Sequence, residues 1–161
     1  MARIGIVIVI VGIIISMGAA MYMYTQYQTN FIIGKSGEAV TVGPVEYIVT
    51  FDGTHEGNKE RIPENTFVKI KIIAKNISNE DTRISGGQFY IVDEKQQNHR
   101  AVYGKFSADD LLDHILEPNK PVMFTTQFDI PYDEQNQYSV TIRPTKIQST
   151  TDTAVICITN C

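Results

Sequence analysis

Residues 66–77 read Thr-Phe-Val-Lys-Ile-Lys-Ile-Ile-Ala-Lys-Asn-Ile, the most regular alternation in the chain. Apolar residues fall at every second position and lysines lie between them: Val68, Ile70, Ile72 and Ala74 against Lys69, Lys71 and Lys75. Successive side chains of a β-strand point to opposite faces of its sheet. This period of two therefore predicts a strand with one face in a core and the other in water.

Similar stretches lie on both sides of this strand. Before it, residues 40–49 alternate, with Gly43-Pro44 predicted to form a bulge at a sheet edge. After it, five more stretches have strand character: 88–93, 101–103, 121–130, 138–142 and 153–158. About seven short strands separated by turns predict a mainly β protein, an antiparallel β-sandwich.

One short helix is predicted between these strands, beginning at Ser107 and ending before Pro118. Ser107 is a favourable N-cap, and Asp109 and Asp110 would lie near the positive end of the helix dipole. In such a helix Asp110 and His114 would share a polar face, opposite leucines and an isoleucine.

The chain begins with an uncharged, apolar run at residues 4–24, preceded by a single Arg3. At about 1.5 Å per residue a helix of this length reaches about 30 Å, the thickness of the hydrocarbon core of a bilayer. Tyr22, Tyr24 and Tyr27 come where an interfacial aromatic belt is expected. We predict an uncleaved transmembrane anchor; the alternative is a signal peptide cut after Ala20.

The anchor predicts the location of the rest of the chain. Arg3 precedes the run, and the first charge after the run is Lys35. The positive-inside rule therefore places the N-terminus in the cytoplasm and the C-terminal domain outside. We predict a single-pass protein of the cell membrane. We therefore divide the chain into an anchor at 1–24, a tether at 25–37 and a sandwich at 38–161. In the tether, Phe31-Ile32-Ile33 is either a segment that lies at the membrane–water interface or the start of a strand.

The charge of the exported part excludes some partners. From Thr25 onward there are 13 Lys and Arg against 18 Asp and Glu, a formal charge of −5. Nucleic-acid binding requires clustered basic residues, and anionic lipid attracts basic surfaces. We therefore expect contact with membrane lipid through the N-terminal helix alone, a protein partner, and no nucleic acid.

Four segments in order resemble a known family: residues 67–78, Phe89-Tyr-Ile-Val-Asp93, Leu116-Glu-Pro-Asn119 and Phe128-Asp-Ile-Pro131. They are similar to the telokin-like immunoglobulin-fold domain of unknown function, found on prokaryotic lipoproteins and single-span membrane proteins. The family's Pro-Gly turn is Pro118-Asn119 here, which Asn tolerates because it accepts the left-handed conformation. The resemblance implies an immunoglobulin-like sandwich and no catalytic residues.

Cys157 and Cys161 are the only cysteines. An oxidising exterior favours a disulfide between them, but a straight strand would hold their Cα atoms about 13 Å apart, beyond the reach of a disulfide. The strand would have to end near Ile158 and the tail turn back at Thr159-Asn160. Intermolecular disulfides, free thiols or a metal thiolate site remain as alternatives.

Other candidate sites are few. Asp110 and His114, or the two cysteines, are weak candidates for metal ligands, and we predict no metal site, cofactor, catalytic residue or small-molecule substrate. Asn76-Ile-Ser78 is a glycosylation sequon, unless Asn76 instead holds the turn.

The sequence thus predicts a membrane-anchored, extracytoplasmic binding or structural module at the cell surface, not an enzyme. The alternatives are a subunit of a membrane or surface-filament complex, and a copper- or zinc-handling protein that uses Cys157 and Cys161. We expect the first and last strands of the sandwich to form its open edges.

Overall fold

The structure, a computed structural model, describes residues 2–104 and 106–161. It begins with helix α1 (Ala2–Gln26), and Gly5–Gln26 is long and apolar enough to cross a membrane. The described side chains of α1 are exposed on all sides. A helix satisfies its backbone groups internally, as a segment in lipid would have to, and this run is helical although it is rich in β-branched residues.

Eleven strands follow in the described residues: β1 (Asn30–Lys35), β2 (Ala39–Val42), β3 (Val45–His55), β4 (Thr66–Asn76), β5 (Thr82–Ser85), β6 (Phe89–Val92), β7 (Asn98–Arg100), β8 (Asp113–Leu116), β9 (Pro121–Ile130), β10 (Tyr138–Ile142) and β11 (Asp152–Thr159). Two short 3₁₀ turns, Gly86–Gln88 and Lys146–Gln148, precede β6 and β11.

The strands form two main sheets and a small one. One sheet has the order β1-β11-β10-β6-β7, the second β2-β3-β4-β9, and β5 pairs with β8. All the pairs are antiparallel except β1 with β11, which is parallel. The predicted β-sandwich behind an N-terminal helix is confirmed.

The core lies between the two main sheets and is made by the alternating apolar residues. In β4, Val68, Ile70, Ile72 and Ala74 are all fully buried, as predicted. Their partners from the other sheet include Phe89, Ile91, Val140, Ile142, Ala154 and Ile156. Each large apolar side chain buried in this way stabilises the folded state by about 1.5–3 kcal/mol compared with the same side chain exposed to water.

Gly43-Pro44 is a hairpin turn and not the predicted bulge. Val42 of β2 pairs directly with Val45 of β3, and Gly43 has φ +56. Directly paired residues of antiparallel strands point to the same face, which is why two inward valines stand three positions apart. Glycine at the first central position is typical of a type II′ turn.

The predicted tether is wrong for most of its length. Only residues 27–29 separate α1 from β1, and β1 pairs with β11 over six residues. Phe31-Ile32-Ile33 therefore starts a strand. Gly34 lies so close to β2 that an added Cβ would approach Val40 to 2.6 Å, which explains a residue without a side chain at this inward position.

The predicted helix at 107–117 is also wrong. Residues 109–111 bond to β9 instead, through Leu111 N–H to the Thr125 carbonyl (2.8 Å) and Thr125 N–H to the Asp109 carbonyl (2.8 Å), and β8 occupies 113–116. Buried Leu111 and Leu116 fit this arrangement, whereas Leu112 and Ile115 are exposed. Pairing with β9 and β5 outweighs the weak local preference for helix.

The prediction of the open edges is confirmed only in part, since β2, the first part of the predicted first strand, is an edge. β11 is an interior strand between β1 and β10, and β3 lies between β2 and β4. The described edges of the main sheets are β1, β7, β2 and β9. The last strand was predicted as an edge because the pairing of β1 with it could not be read from the local pattern.

A buried polar network links the two sheets. Gln148 donates to the Tyr47 hydroxyl (3.3 Å), and Gln88 donates to the Gln148 side-chain oxygen (2.9 Å). Burial raises the pKa of Tyr47 to about 12, although the hydrogen bond from Gln148 opposes this shift. Tyr47 therefore stays neutral at any physiological pH.

Asn76 holds the end of β4 to the end of β8 and to the turn that follows β4. Its amide donates to the carbonyls of Glu80 (2.7 Å) and Leu116 (2.9 Å), and its side-chain oxygen accepts from the N–H (3.0 Å) and hydroxyl (2.8 Å) of Ser78. The residue is 0% exposed. Asn119, which bonds to the Asn76 carbonyl, has φ +60, the left-handed conformation expected there.

We predict that Asn76→Ala destabilises the protein by about 2–4 kcal/mol, because the buried Leu116 carbonyl loses its donor and the turn loses its centre. Urea unfolding of the full chain in detergent, followed by circular dichroism, measures the change. The exposed Asn79→Ala is the matched control and should stay within about 0.5 kcal/mol of the wild type. Equal effects of the two substitutions would contradict the role assigned to Asn76.

A carboxylate fastens the start of β1 to β11. Asp152 accepts hydrogen bonds from the Asn30 amide (2.9 Å) and the Thr150 hydroxyl (2.7 Å). These hydrogen bonds hold the pKa of Asp152 below its ordinary value, with a smaller opposing effect of burial. A carboxyl with a lowered folded-state pKa stabilises the fold above its unfolded-state pKa, and this contribution is lost as the pH falls through the folded-state pKa.

We therefore expect the difference in unfolding free energy between the wild type and Asp152→Asn to be largest near neutral pH. It should narrow once the pH falls below about 4, the pKa of an unperturbed Asp. Denaturation at a series of pH values measures it. Glu94→Gln, at an exposed carboxylate, is the control, and a difference that does not change with pH would disprove the linkage.

Candidate functional site

The structure does not bring the predicted metal ligands Asp110 and His114 into one site. Asp110 is a loop residue whose carboxylate accepts from the N–H groups of Phe106 (2.6 Å) and Ser107 (3.0 Å) and from the Ser107 hydroxyl (2.8 Å). His114 is exposed on β8 and packs edge-on against Phe124 at 5.0 Å. Their common face depended on a helix that does not form.

The three histidines lie apart. His55 contacts Gln127 (2.9 Å) and accepts from the Gly57 N–H (3.1 Å), while His99 contacts Asp93 (3.1 Å). Within residues 2–104 and 106–161, no three His, Cys, Asp or Glu side chains are grouped as metal ligands. Each histidine is held by a local structural contact.

The two cysteines form a disulfide in the structure, with a Cα–Cα distance of 5.8 Å. β11 ends at Thr159, and Asn160 turns the tail back with φ +50. The Asn160 amide then bonds to the carbonyls of Glu134 (2.7 Å) and Asn136 (2.9 Å). Since metal sites use thiolates, sulfur atoms joined in this way are not ligands for copper or zinc.

Asn76 is not available as the predicted glycosylation site. Both of its amide hydrogens are used in hydrogen bonds, and the side chain is 0% exposed. A glycan on this nitrogen would displace the Leu116 and Glu80 carbonyls. The alternative, an unmodified Asn that holds the turn, agrees with the structure.

A hollow of about 790 Å³ lies on the outer face of the five-stranded sheet. Outward side chains of β10 and β11 form its floor: Ser139, Thr141, Thr153 and Val155. Thr141 points away from the core and is nevertheless only 7% exposed. The floor is therefore recessed below its rim.

The rim of the hollow differs on its two sides. On the β1 side stand Thr29 and Phe31, next to the end of α1, and on the other side stand Asp93, Glu94 and Asn98. Arg143 lies with its guanidinium 4.5 Å from the ring centre of Tyr90. A cation over an aromatic face is held in place by the ring quadrupole, so this Arg is fixed at the side of the hollow.

Asp93 is a rim carboxylate that is held by hydrogen bonds. Burial alone would raise the pKa of Asp93, but hydrogen bonds from the Gln97 N–H (2.8 Å) and the His99 ring, together with the charge of that ring, lower it below its ordinary value. The carboxylate therefore stays ionised at physiological pH. Ionised Asp93 and Arg143 give the hollow groups of both signs.

Sequence reasoning missed this hollow because its residues come from four separate segments, 29–31, 92–98, 137–144 and 150–155. The available signal was the outward positions of β10 and β11, where Ser139, Thr141 and Thr153 alternate with buried apolar residues. The hollow offers hydroxyl, amide, carboxylate and guanidinium groups beside an exposed aromatic ring. Such a surface can bind a polar ligand or a peptide by hydrogen bonds.

Solved structures from bacteria share this fold. The YjhA protein of Bacillus subtilis matches with a TM-score of 0.63 at 18% identity, covering 78% of this chain and 98% of that one. The secreted protein MPT63 of Mycobacterium tuberculosis matches with a TM-score of 0.57 at 11% identity, covering 82% of this chain and 99% of that one.

A putative lipoprotein of Bacillus subtilis, YcdA, matches with a TM-score of 0.56 at 11% identity, covering 78% of this chain and 39% of that one. At these identities the comparisons show the fold alone. By sequence, the chain matches no curated protein.

A family model matches residues 34–153, from the inward glycine of β1 into β11. The match covers most of the sandwich and leaves out α1 and the disulfide-bonded tail. The chain thus belongs to the family described as Domain of unknown function (DUF4352).

Proposed function

We propose that this protein is a membrane-anchored module on the extracytoplasmic side of the cell membrane that binds a protein partner through the outer face of its five-stranded sheet. Two matched structures are described as a secreted protein and a putative lipoprotein, which supports an exported sandwich. The apolar helix α1 continues past Ala20 to Gln26, which supports an anchor over a cleaved signal.

The observation that carries the proposal is the position of the hollow. Its β1 rim begins at Thr29, three residues after the end of α1. A chain of three residues spans at most about 11 Å, so the hollow would lie close to the membrane surface. A partner that is itself at the membrane would therefore meet this face.

Strand order supports the finer prediction of an immunoglobulin-like sandwich. β4 pairs with β9 in one sheet, and β6, β10 and β11 are neighbours in the other. This order is similar to that of strands B and E against C, F and G in an immunoglobulin domain, which supports the proposal. β1 and the β5–β8 pair are additions to that pattern.

A labelling experiment tests the anchor and its orientation. A membrane-impermeant maleimide should label Ser36→Cys in intact cells and label Ala2→Cys, which keeps Arg3, only after the membrane is permeabilised, because the two positions lie on opposite sides of the apolar run. The labelled chain should remain in the membrane fraction after alkaline extraction. Release of a chain shortened at its N-terminus would refute the anchor.

A second experiment tests the binding face. A photo-crosslinking amino acid at Thr151, on the exposed rim of the hollow, should give a discrete crosslinked band in native membranes. The same amino acid at Lys71, on the outer face of the other sheet, is the control and should give several-fold less. Equal yields at the two positions, or none at Thr151, would exclude this face as the binding surface.

A further inference from the structure

The four described edges of the main sheets are protected to different degrees. The free edge of β9 is covered, since its carbonyl at Gln127 accepts from the Val102 N–H (2.7 Å) and Thr125 bonds to residues 109 and 111. β7 has only three residues, Asn98–Arg100, which is too short for an extended pairing with another strand. β2 turns only small side chains outward, Ala39 and Thr41, which offer little apolar contact to another strand. β1 is the remaining edge.

The backbone of β1 has a side that faces away from its sheet. Asn30 N–H bonds to the Thr151 carbonyl (3.2 Å) and Ser36 N–H to the Cys157 carbonyl (2.8 Å). In a parallel pair alternate residues bond to the same neighbour, so Ile32 and Gly34 also face β11. The N–H and C=O groups of Phe31 and Ile33 therefore point to the open edge, and none has a hydrogen-bond partner among the described residues.

The side chains at this edge do not prevent pairing with another strand. Phe31 is 62% exposed and Ile33 is 75% exposed, and both lie on the outer face of the sheet. Natural proteins block edges with charge, proline or bulges. Here only Lys35 is blocked, because its N–H donates to the Glu38 carboxylate (2.9 Å) at the end of the strand.

We propose that the occupant of this edge is a second copy of the chain, whose β1 pairs with the first in antiparallel orientation. With Ile32 opposite Ile32 of the partner copy, Phe31 of each chain lies opposite Ile33 of the other. Phe31 and Ile33 then exchange both of their free N–H and C=O groups, which gives four backbone hydrogen bonds. Each exposed Phe also gains an aromatic to β-branched cross-strand contact.

The membrane anchor favours a second copy over another partner. In two identical chains α1 ends at the same distance before β1, so both β1 edges are held at the same height above the bilayer, where confinement in one membrane raises their effective concentration for each other. The two-fold axis of an antiparallel strand pair is perpendicular to the sheet, and the two-fold axis of a membrane dimer is parallel to the bilayer normal. The joined sheets would therefore lie flat along the membrane, with both helices inserted in the same direction.

Proline at position 33 tests the edge without disturbing β1–β11. Ile33→Pro removes an N–H that bonds only across the proposed interface, and the extended conformation is compatible with proline. We expect the dimer of the full chain, measured by single-molecule photobleaching in proteoliposomes, to weaken at least about tenfold. Ile33→Thr keeps the N–H and should retain more of the dimer, and circular dichroism should show that both variants are folded.

Crosslinking tests the register. Ile32→Cys places two sulfurs in a close antiparallel pair, with Cα atoms about 4.5 Å apart, so mild oxidation in membranes should yield a covalent dimer. In the same register the two copies of Lys35→Cys lie about 20 Å apart and should not crosslink. Crosslinking at Lys35 and not at Ile32 would overturn the register and the proposal.

This inference rests on the proposed membrane anchoring, and different experimental results would contradict the dimer and the anchor. A wild-type chain that is monomeric in proteoliposomes, but shows the expected maleimide labelling, would overturn the dimer and leave the anchor. A dimer that persists unchanged in Ile33→Pro would assign association to α1 or another surface and would also overturn the proposal. Loss of the dimer in Ile33→Pro together with a crosslink at Ile32 establishes it.

Discussion

The body of this protein depends on the pairing and burial of β4. It is hydrogen bonded to β3 on one side and to β9 on the other over nearly its whole length, and its inner face is fully buried. Antiparallel neighbours place their inward residues opposite one another, so the alternation in this one strand determines which residues of β3 and β9 face the core. The remaining sheet then covers that apolar surface.

Where a strand has one buried face, the sequence pattern predicted it well. β9 and β10 have the bounds that were predicted, and β4 differs by one residue at its end. The failures lie where tertiary pairing outweighs local preference. Residues 107–117 carry a cap and acidic residues suited to a helix, yet they bond to β9 and β5. The hollow was not predictable, because its sides come from distant segments joined only by the pairing of β1, β11, β10 and β6.

Polar residues that could suggest chemistry are used here to hold the fold together. Asn76 donates to the carbonyls of buried Leu116 and of Glu80, and the Asp110 carboxylate accepts from the N–H groups of Phe106 and Ser107 in an irregular loop. Gln88 and Gln148 join the two sheets with Tyr47. Buried backbone groups must be paired, so an irregular connection between sheets requires such side chains. Their residue types alone do not distinguish this role from ligand binding.

The parallel pairing of β1 with β11 has a mechanical consequence. Helix α1 joins the fold at the N-terminal end of β1, whereas the chain leaves the fold at the opposite end of β11. A pull between α1 and the C-terminus therefore acts along both strands in opposite directions. The hydrogen bonds of the six paired residues are then sheared together, and not opened one after another, so this end of the sandwich is built to resist tension.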